Sequence, residues 1–530
     1  MAEPISPKPD SVDNRRVMAF IAVGFAVVVA LFAYVLIRWP DNFFADDSYF
    51  YFQVAWNVAR GFGSTFNNVM TTNGYHPLWM LVCVAVFKVL PAKAAAVHGI
   101  GAMISLFDAG ALLLLCAIVR RTAPGFWWVA LCTYTPFCFL TQLGTEGALS
   151  GFFLAAMVLA AYKLYSAPDK AAGLLFALCG ALAVLSRLDN IFVVSTIFVA
   201  CFFASPAPVR RRIQTILLLC LPVYCIFWGA YIFSNLHWFG TIEPISGLLK
   251  SHPHGEVRRL TVPPHIAMLG MAIILPCIAI LAKFRRDTFF RVVELPFAIG
   301  VLFHATYILF IMSSETRWTW YYTSWLLLSA ILLSRVFSLA LDSLRGAIRW
   351  VLPALSLAGL FFVWALGYKR FGHYIYVPIA DAMQAVSNQN HLHTIVVFDR
   401  PGYMAYYSNI PIVSLDGLMG NLAFQHELAS KGIAAFDAEN NVDAFVGPPE
   451  PFGAASKNLF CDHVYLSSVQ FHCVPAAPGL WNVDSVEVFA RLSGASAGSL
   501  QLAPQNQLVH APVTVWRLPA AASATVVTAP

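Results

Sequence analysis

The sequence predicts a polytopic α-helical membrane protein carrying a C-terminal extracytoplasmic α/β domain. Three observations carry that reading. The chain of 530 residues is 59% hydrophobic and only 11% charged, and its mean hydropathy is +0.68, so its apolar runs are too long and too frequent for a water-soluble core. Those runs recur at lengths of roughly 17 to 25 residues, and the composition changes near Tyr368, beyond which Asn, Gln, His, Gly and Pro are common and no run is long enough to span.

Spanning runs are expected near 17–37, 95–119, 126–143, 147–166, 171–187, 190–206, 213–233, 263–282, 294–312, 318–336 and 348–367, about eleven in all. The stretch His76 to Leu90 is apolar but too short to cross and carries Lys88, which fits an interfacial helix. With it excluded, Arg120 and Arg121, Lys163 and Lys170, Arg210 to Arg212, Lys283 to Arg291 and Arg335 to Arg349 share a side with Arg15 and Arg16. The positive-inside rule is then obeyed. The N-terminal stretch lacks a small-residue cleavage site and reads as a retained anchor in the cytoplasm. The division predicted is a transmembrane domain over 1–368, with its first outer loop at 38–94, and a soluble extracytoplasmic α/β domain over 369–530. Within the latter, HTIVVFD, PGYMAYYS and IPIVSLDG alternate as strand, helix and strand.

The net charge of +6 comes from short basic loops, which excludes a nucleic-acid-binding face and leaves membrane lipid as the surrounding partner. Nine of the eleven cysteines sit in or beside apolar runs. Cys461 and Cys473 fall in the polar C-terminal region, where they can pair if that region lies outside or remain free thiols.

Chemistry-bearing residues gather on the predicted outer face. Asp46 and Asp47 open the segment DDSYFYFQVAWNVARGFG, and two like charges side by side raise the cost of ionising either. One of them can serve as an N-cap for a following amphipathic helix lying on the membrane, which leaves the second acid to be explained. Glu146 lies in TQLGTEGALSG at a membrane edge, where an acid is functional by default, although Thr145 could cap the next helix with Glu146 in its first turn. Arg187 and Asp189 in SRLDN interrupt an apolar hairpin and can pair with one another. The loop after position 234 supplies His237, Glu243, Lys250, His252, His254, Arg258 and Arg259, a mainly basic group suited to a phosphate at the bilayer surface. Acids beside bases at the end of an apolar bundle are what a transferase using a lipid phosphate-sugar needs.

The run DDSYFYFQVAWNVARGFGSTFNNVMTTNGYHPLWM resembles the first outer loop of bacterial GT-C glycosyltransferases, especially the arabinofuranosyltransferase-like group. The likeness continues through LGTEGALSG, SRLDN and VVFDRPGYMAYYSNIPIVSLDGLMGN, covering about residues 38 to 425. The resemblance implies an inverting, multi-pass enzyme of the bacterial inner membrane whose active site and C-terminal domain face the periplasm. It would move a hexose or pentose from a polyprenyl-phosphate donor to an envelope glycan, lipid or protein. By position, the general base falls on Asp46 or Asp47, which the sequence does not separate, and Glu146 becomes an accessory acid. Arg187 and Lys250 become phosphate contacts, and Tyr75, His76, Asp189 and His237 further substrate contacts. No cofactor is certain, and a divalent metal ion, if any, would sit at Asp47 and Glu146. The chain departs from the group at WFGTIEPISGLLK, which lacks the usual aspartate and asparagine, and at His76 in GYHPLW. The competing readings are a transporter or flippase of lipid-linked sugars, and an inactive relative that binds glycan or assists assembly.

Overall fold

The structure is a computed structural model describing residues 12–141, 144–251, 264–282, 286–312, 319–341, 348–371, 393–397, 401–414 and 418–424, positions 384, 388 and 426, and six further strands. A helix occupies each of the eleven long apolar stretches. In chain order these are α1 (Val12–Arg38), then, after two shorter outer-loop helices α2 (Asp46–Ala59) and α3 (Pro77–Val89), α4 (Lys93–Thr122), α5 (Trp127–Thr141), α6 (Gly147–Ser166), α7 (Lys170–Ser186), α8 (Ile191–Phe203) and α9 (Ala207–Phe239). Beyond the short α10 (Ile245–Ser251) come α11 (Pro264–Leu281), α12 (Leu295–Thr306), α13 (Thr323–Leu341) and α14 (Ile348–Phe371). Five of the described helices are long and apolar enough to cross a membrane by length and composition alone, and the chain is a multi-pass membrane protein. Large apolar side chains on α9, such as Leu219, Ile226 and Phe233, are exposed on the outside of the bundle, the arrangement that hydrocarbon in place of water permits.

α3 has 13 residues, about 20 Å of helix, the same length as α8. α9 has 33 residues, about 50 Å, longer than the ~30 Å hydrocarbon layer. After its last turn Gly240 redirects the chain in the left-handed region at φ 70°. At the other end of the bundle Arg335 of α13 bonds Glu294 at 2.5 Å and also Asp287, joining α13 to the start of α12.

The C-terminal region contains β1 (Thr394–Val397), α15 (Pro401–Tyr407) and β2 (Ile412–Ser414), a βαβ unit whose strands pair in parallel. Strands β3 (Val442–Gly447), β4 (Leu459–His463), β5 (Phe471–Pro475), β6 (Gly479–Val483), β7 (Val513–Arg517) and β8 (Thr525–Val526) follow. They form a mixed five-stranded sheet of order β2-β1-β3-β7-β6 and a three-stranded sheet β4-β5-β8. Cys461 and Cys473 are direct partners across the antiparallel β4/β5 pair.

Two hydrophobic cores hold these parts. One fills the helix bundle, and the second joins α2, α3 and the start of α4 to Ile395, Tyr403, Tyr406 and Ile412 of the βαβ unit. α2 is consequently covered on both sides, and the expectation of a helix with a wet polar face is corrected. Gln53 and Asn57, polar positions of α2, are buried: Gln53 Oε1 accepts from Lys93 Nζ at 3.3 Å and Asn57 Nδ2 donates to the Thr65 carbonyl at 2.7 Å, while Asn57 Oδ1 is buried with no hydrogen-bond partner among the described residues. Partners of this kind offset much of the cost of burying polar groups.

Candidate active site

A cavity of about 460 Å³ opens at one end of the bundle, lined by Asp47, Tyr51, Tyr75, His76, Glu146, Arg187, Asp189 and Lys250 and by apolar residues of α8, α9 and the region around Tyr321. The polar residues arrive on several separate elements. Asp47 sits in the first turn of α2, whose N-cap is Ala45 with no side-chain cap, so neither acid caps its own helix. Glu146 ends the turn that begins with Gly144 at φ 87°. A Cβ on Gly144 would stand 2.5 Å from Ser48 Oγ and 2.7 Å from Phe44, so only glycine lets this turn seat against the first loop. Arg187 and Asp189 occupy the break between α7 and α8, and Lys250 stands on α10. Asn73 holds α10 in place: its Nδ2 donates to Asn235 Oδ1 and the Glu243 carbonyl, both at 3.2 Å, while its Oδ1 accepts from Ile245 N–H at 3.0 Å.

Arg187 is the centre of the arrangement. Its Nη1 donates to Glu146 Oε1 at 2.5 Å, and its Nε and Nη2 both donate to Asp189 Oδ2, at 3.1 and 2.8 Å. Its guanidinium lies 4.0 Å from the centroid of the Tyr321 ring, and the Tyr321 hydroxyl accepts from Lys250 Nζ at 3.3 Å. Tyr51 donates to Glu146 Oε2 at 3.0 Å and accepts from His76 N–H at 3.2 Å. Leu188 N–H donates to His76 Nδ1 at 3.3 Å, which makes Nδ1 an acceptor and leaves the proton of the neutral ring on Nε2. That nitrogen faces Glu146 Oε1 at 3.6 Å. By the same logic Trp325 Nε1–H, donating to His304 Nδ1 at 3.2 Å, puts the His304 proton on Nε2, 2.9 Å from Asp189 Oδ2.

Burial opposes every charge in this network, and pairing decides which survive. For Arg187 burial disfavours the cation, but the Asp189 and Glu146 carboxylates outweigh it and hold the guanidinium charged above its ordinary value. For Asp189 burial works against ionisation, yet Arg187 and His304 keep the carboxyl well below the usual carboxylate range. Burial lowers His76, with Glu146 pulling upward and Arg187 downward, so the ring stays neutral. Burial, then Glu146, raises Tyr51 well above 10.0 and keeps it a donor. Asp189 Oδ1 is buried with no hydrogen-bond partner among the described residues.

The two adjacent aspartates are turned to different tasks. The Asp46 carboxylate accepts Gly402 N–H at 3.1 Å and Tyr403 N–H at 2.9 Å, capping α15, whereas Asp47 lines the cavity. Glu146 is itself the N-cap residue of α6 but makes no side-chain cap, its oxygens being turned to Arg187 and Tyr51. N–H and O–H donors point at both Glu146 oxygens. Among the described residues no three His, Cys, Asp or Glu side chains are grouped to hold an ion. His237 stacks on Phe233 at 5.9 Å on exposed α9 surface and is not among the residues lining the cavity. His252, His254, Arg258 and Arg259 lie outside the described residues. Residues that sequence reasoning missed are Tyr51, His304, Tyr321 and Trp325. A lone histidine in the apolar run PFAIGVLFHAT was the one signal available for His304.

No protein-family model matches the chain, and no curated relative is detectable by sequence. Solved structures do match. ArnT from Cupriavidus metallidurans, a GT-C glycosyltransferase, superposes in its apo state with a TM-score of 0.54 at 14% identity, covering 85% of this chain and 96% of that one. The same protein bound to undecaprenyl phosphate gives a TM-score of 0.51 at 13% identity, covering 84% and 96%. The mycobacterial arabinofuranosyltransferase AftD gives 0.47 at 12% identity over 94% of this chain and 41% of that one, too distant to argue from. The architecture is the GT-C fold.

Proposed function

We propose that the protein is an inverting glycosyltransferase that moves a sugar from a polyprenyl-phosphate donor to an envelope acceptor on the outer side of the bacterial cytoplasmic membrane. The observation that carries this reading is one cavity at an end of the bundle lined by an acid, Asp47, and two cations, Lys250 and the carboxylate-held Arg187. The undecaprenyl phosphate bound to a protein of the same fold is the lipid class that such a cavity would receive.

In the proposed step the acceptor oxygen forms a bond to the anomeric carbon as the bond from that carbon to the lipid phosphate oxygen breaks. Asp47 takes the acceptor proton. The electron pair leaves on the phosphate, whose added charge is met by Lys250 and by the N–H groups of Arg187 not engaged by Glu146 and Asp189. His76 Nε2–H and Asp189 Oδ1 supply a donor and an acceptor for sugar hydroxyls. Asp46 is not the base, because its two oxygens already accept the α15 amides. A transporter would place its charges near the bilayer midplane between broken helices, whereas this network sits at the bundle's end.

The test is mass spectrometry of envelope glycans and lipid-linked sugars in cells lacking the protein and restored with wild type, Asp47→Asn or Asp46→Asn. Asp47→Asn should lower transfer by about 10² to 10⁴, with the lipid-linked donor accumulating at normal protein level. Full restoration by Asp47→Asn would overturn the assignment and move a transport or glycan-binding role to the front.

A further inference from the structure

Leu418 and Met419 follow β2 in the C-terminal βαβ unit, yet they line the same cavity as Asp47. Independent contacts fix them there. Asp46 caps α15 through Gly402 and Tyr403, and a Cβ on Gly402 would come within 2.3 Å of the Asp46 carbonyl oxygen. The Tyr406 hydroxyl donates to the Lys93 carbonyl at 2.7 Å, and Asn421 Nδ2 donates to the Thr71 carbonyl at 3.0 Å. The Leu418 carbonyl oxygen lies 2.0 Å from where a Cβ on Gly74 would stand, so the turn rests on bare backbone immediately before Tyr75 and His76.

These contacts divide the cavity. Lys250, Tyr321 and Arg187 form one polar group on the bundle. Leu418 and Met419 belong with the first-loop side, held by the neighbour of Asp47 and by Gly74, and the surface they add is apolar, with Met419 buried. A pyranose or furanose ring presents hydroxyls at its edge and C–H groups on its faces, and a C–H face packs favourably on apolar side chains.

We infer that the Leu418–Met419 turn is the acceptor-side wall of the cavity and selects a saccharide acceptor, one C–H face of which lies on these side chains while its hydroxyl meets Asp47. This rests on the proposed transferase reading, with phosphate on the Lys250 side. Asp46 is then a positioning residue, holding the unit that carries the wall.

Two readouts test it: affinity of the purified full-length protein for undecaprenyl phosphate, and glycan products in cells by mass spectrometry. Met419→Trp should fill the wall, lowering transfer at least about tenfold while undecaprenyl phosphate affinity stays within about twofold. Met419→Ala should keep the same lipid affinity and alter the ratio of acceptors glycosylated; it carries the test if the tryptophan variant fails to fold. Wild-type rate and product profile in the folded variants would overturn the inference. So would a loss of lipid affinity in step with transfer, which would put the turn on the donor side. Lys250→Ala separates the two readings, since an unchanged undecaprenyl phosphate affinity there sinks the donor assignment whatever Met419 does.

Discussion

Replacing Arg187 with Met removes the one guanidinium that two buried carboxylates share. The side chain is 2% exposed, and Glu146 and Asp189 are 3% and 9% exposed, so solvent cannot take over its role. Breaking a buried pair by deleting one partner costs about 3 to 5 kcal/mol, because the orphaned charge stays behind. Here Tyr51 still donates to Glu146 and His304 to Asp189, which keeps the expected loss within that range and below the sum for two abandoned acids. Loss of the contact with the Tyr321 face adds about 1 to 2 kcal/mol. Glu146→Gln in the same chain removes one orphaned charge while keeping an acceptor for Tyr51. The double variant Glu146→Gln with Arg187→Met should therefore be more stable than the two single losses added together, by about 0.5 to 3 kcal/mol. Denaturant unfolding of all four proteins in one detergent measures the cycle. Strict additivity, or a loss under about 1 kcal/mol for Arg187→Met, would refute the account of Arg187 as the charge both acids depend on.

Trp325→Phe removes the N–H that fixes the His304 tautomer, leaving a buried acceptor unpaired at a cost of about 1 to 3 kcal/mol; transfer should fall while the protein still accumulates, and wild-type transfer would contradict the relay from Trp325 through His304 to Asp189. His76 has its folded value lowered from 6.5 by burial, so the unfolded chain binds the extra proton first. Its contribution to stability is thus full above pH 6.5 and is lost as pH falls below it, and His76→Gln should flatten that slope in thermal unfolding followed between pH 7.5 and 5; an unchanged slope would show that His76 does not titrate in this way. Cys461 and Cys473, opposite each other on β4 and β5, should resist thiol labelling after denaturation without reductant if the C-terminal region is outside the cytoplasm, and two reactive thiols would remove the bond.

Most of the bundle was legible because each spanning helix needs its own long apolar run, and α3 was set apart by its short run, Lys88 and the distribution of basic residues. The strand, helix and strand of β1, α15 and β2 were legible from their alternation of apolar and turn residues. The division of labour between Asp46 and Asp47 was not, since successive residues on a helix point about 100° apart and their partners, Gly402 and the cavity, are set by chain far away. The same distance hid the burial of α2: Gln53 and Asn57 look like a wet face until Lys93, Thr65 and the βαβ unit cover them. The position of His237, in the last turn of a helix of 33 residues and on its exposed surface, was likewise not legible from a stretch read as loop. His304 has no polar neighbour in sequence, and its meaning comes from Asp189 and Trp325, which reach it across other helices.

The bond from Gly402 to Asp46 joins residues 356 positions apart, and this has a consequence for how the protein is made. At a synthesis rate of roughly 5 to 20 residues per second, α2 leaves the ribosome about 20 to 70 s before α15 exists to cover it. During that interval the face of α2 that the βαβ unit covers and the Asp46 carboxylate lack that partner, and the first loop must wait for the C-terminal region of the chain. Assembly of the cavity is therefore a late, high-contact-order event, and chains cut short before position 401 would leave that face of α2 uncovered and open to proteolysis.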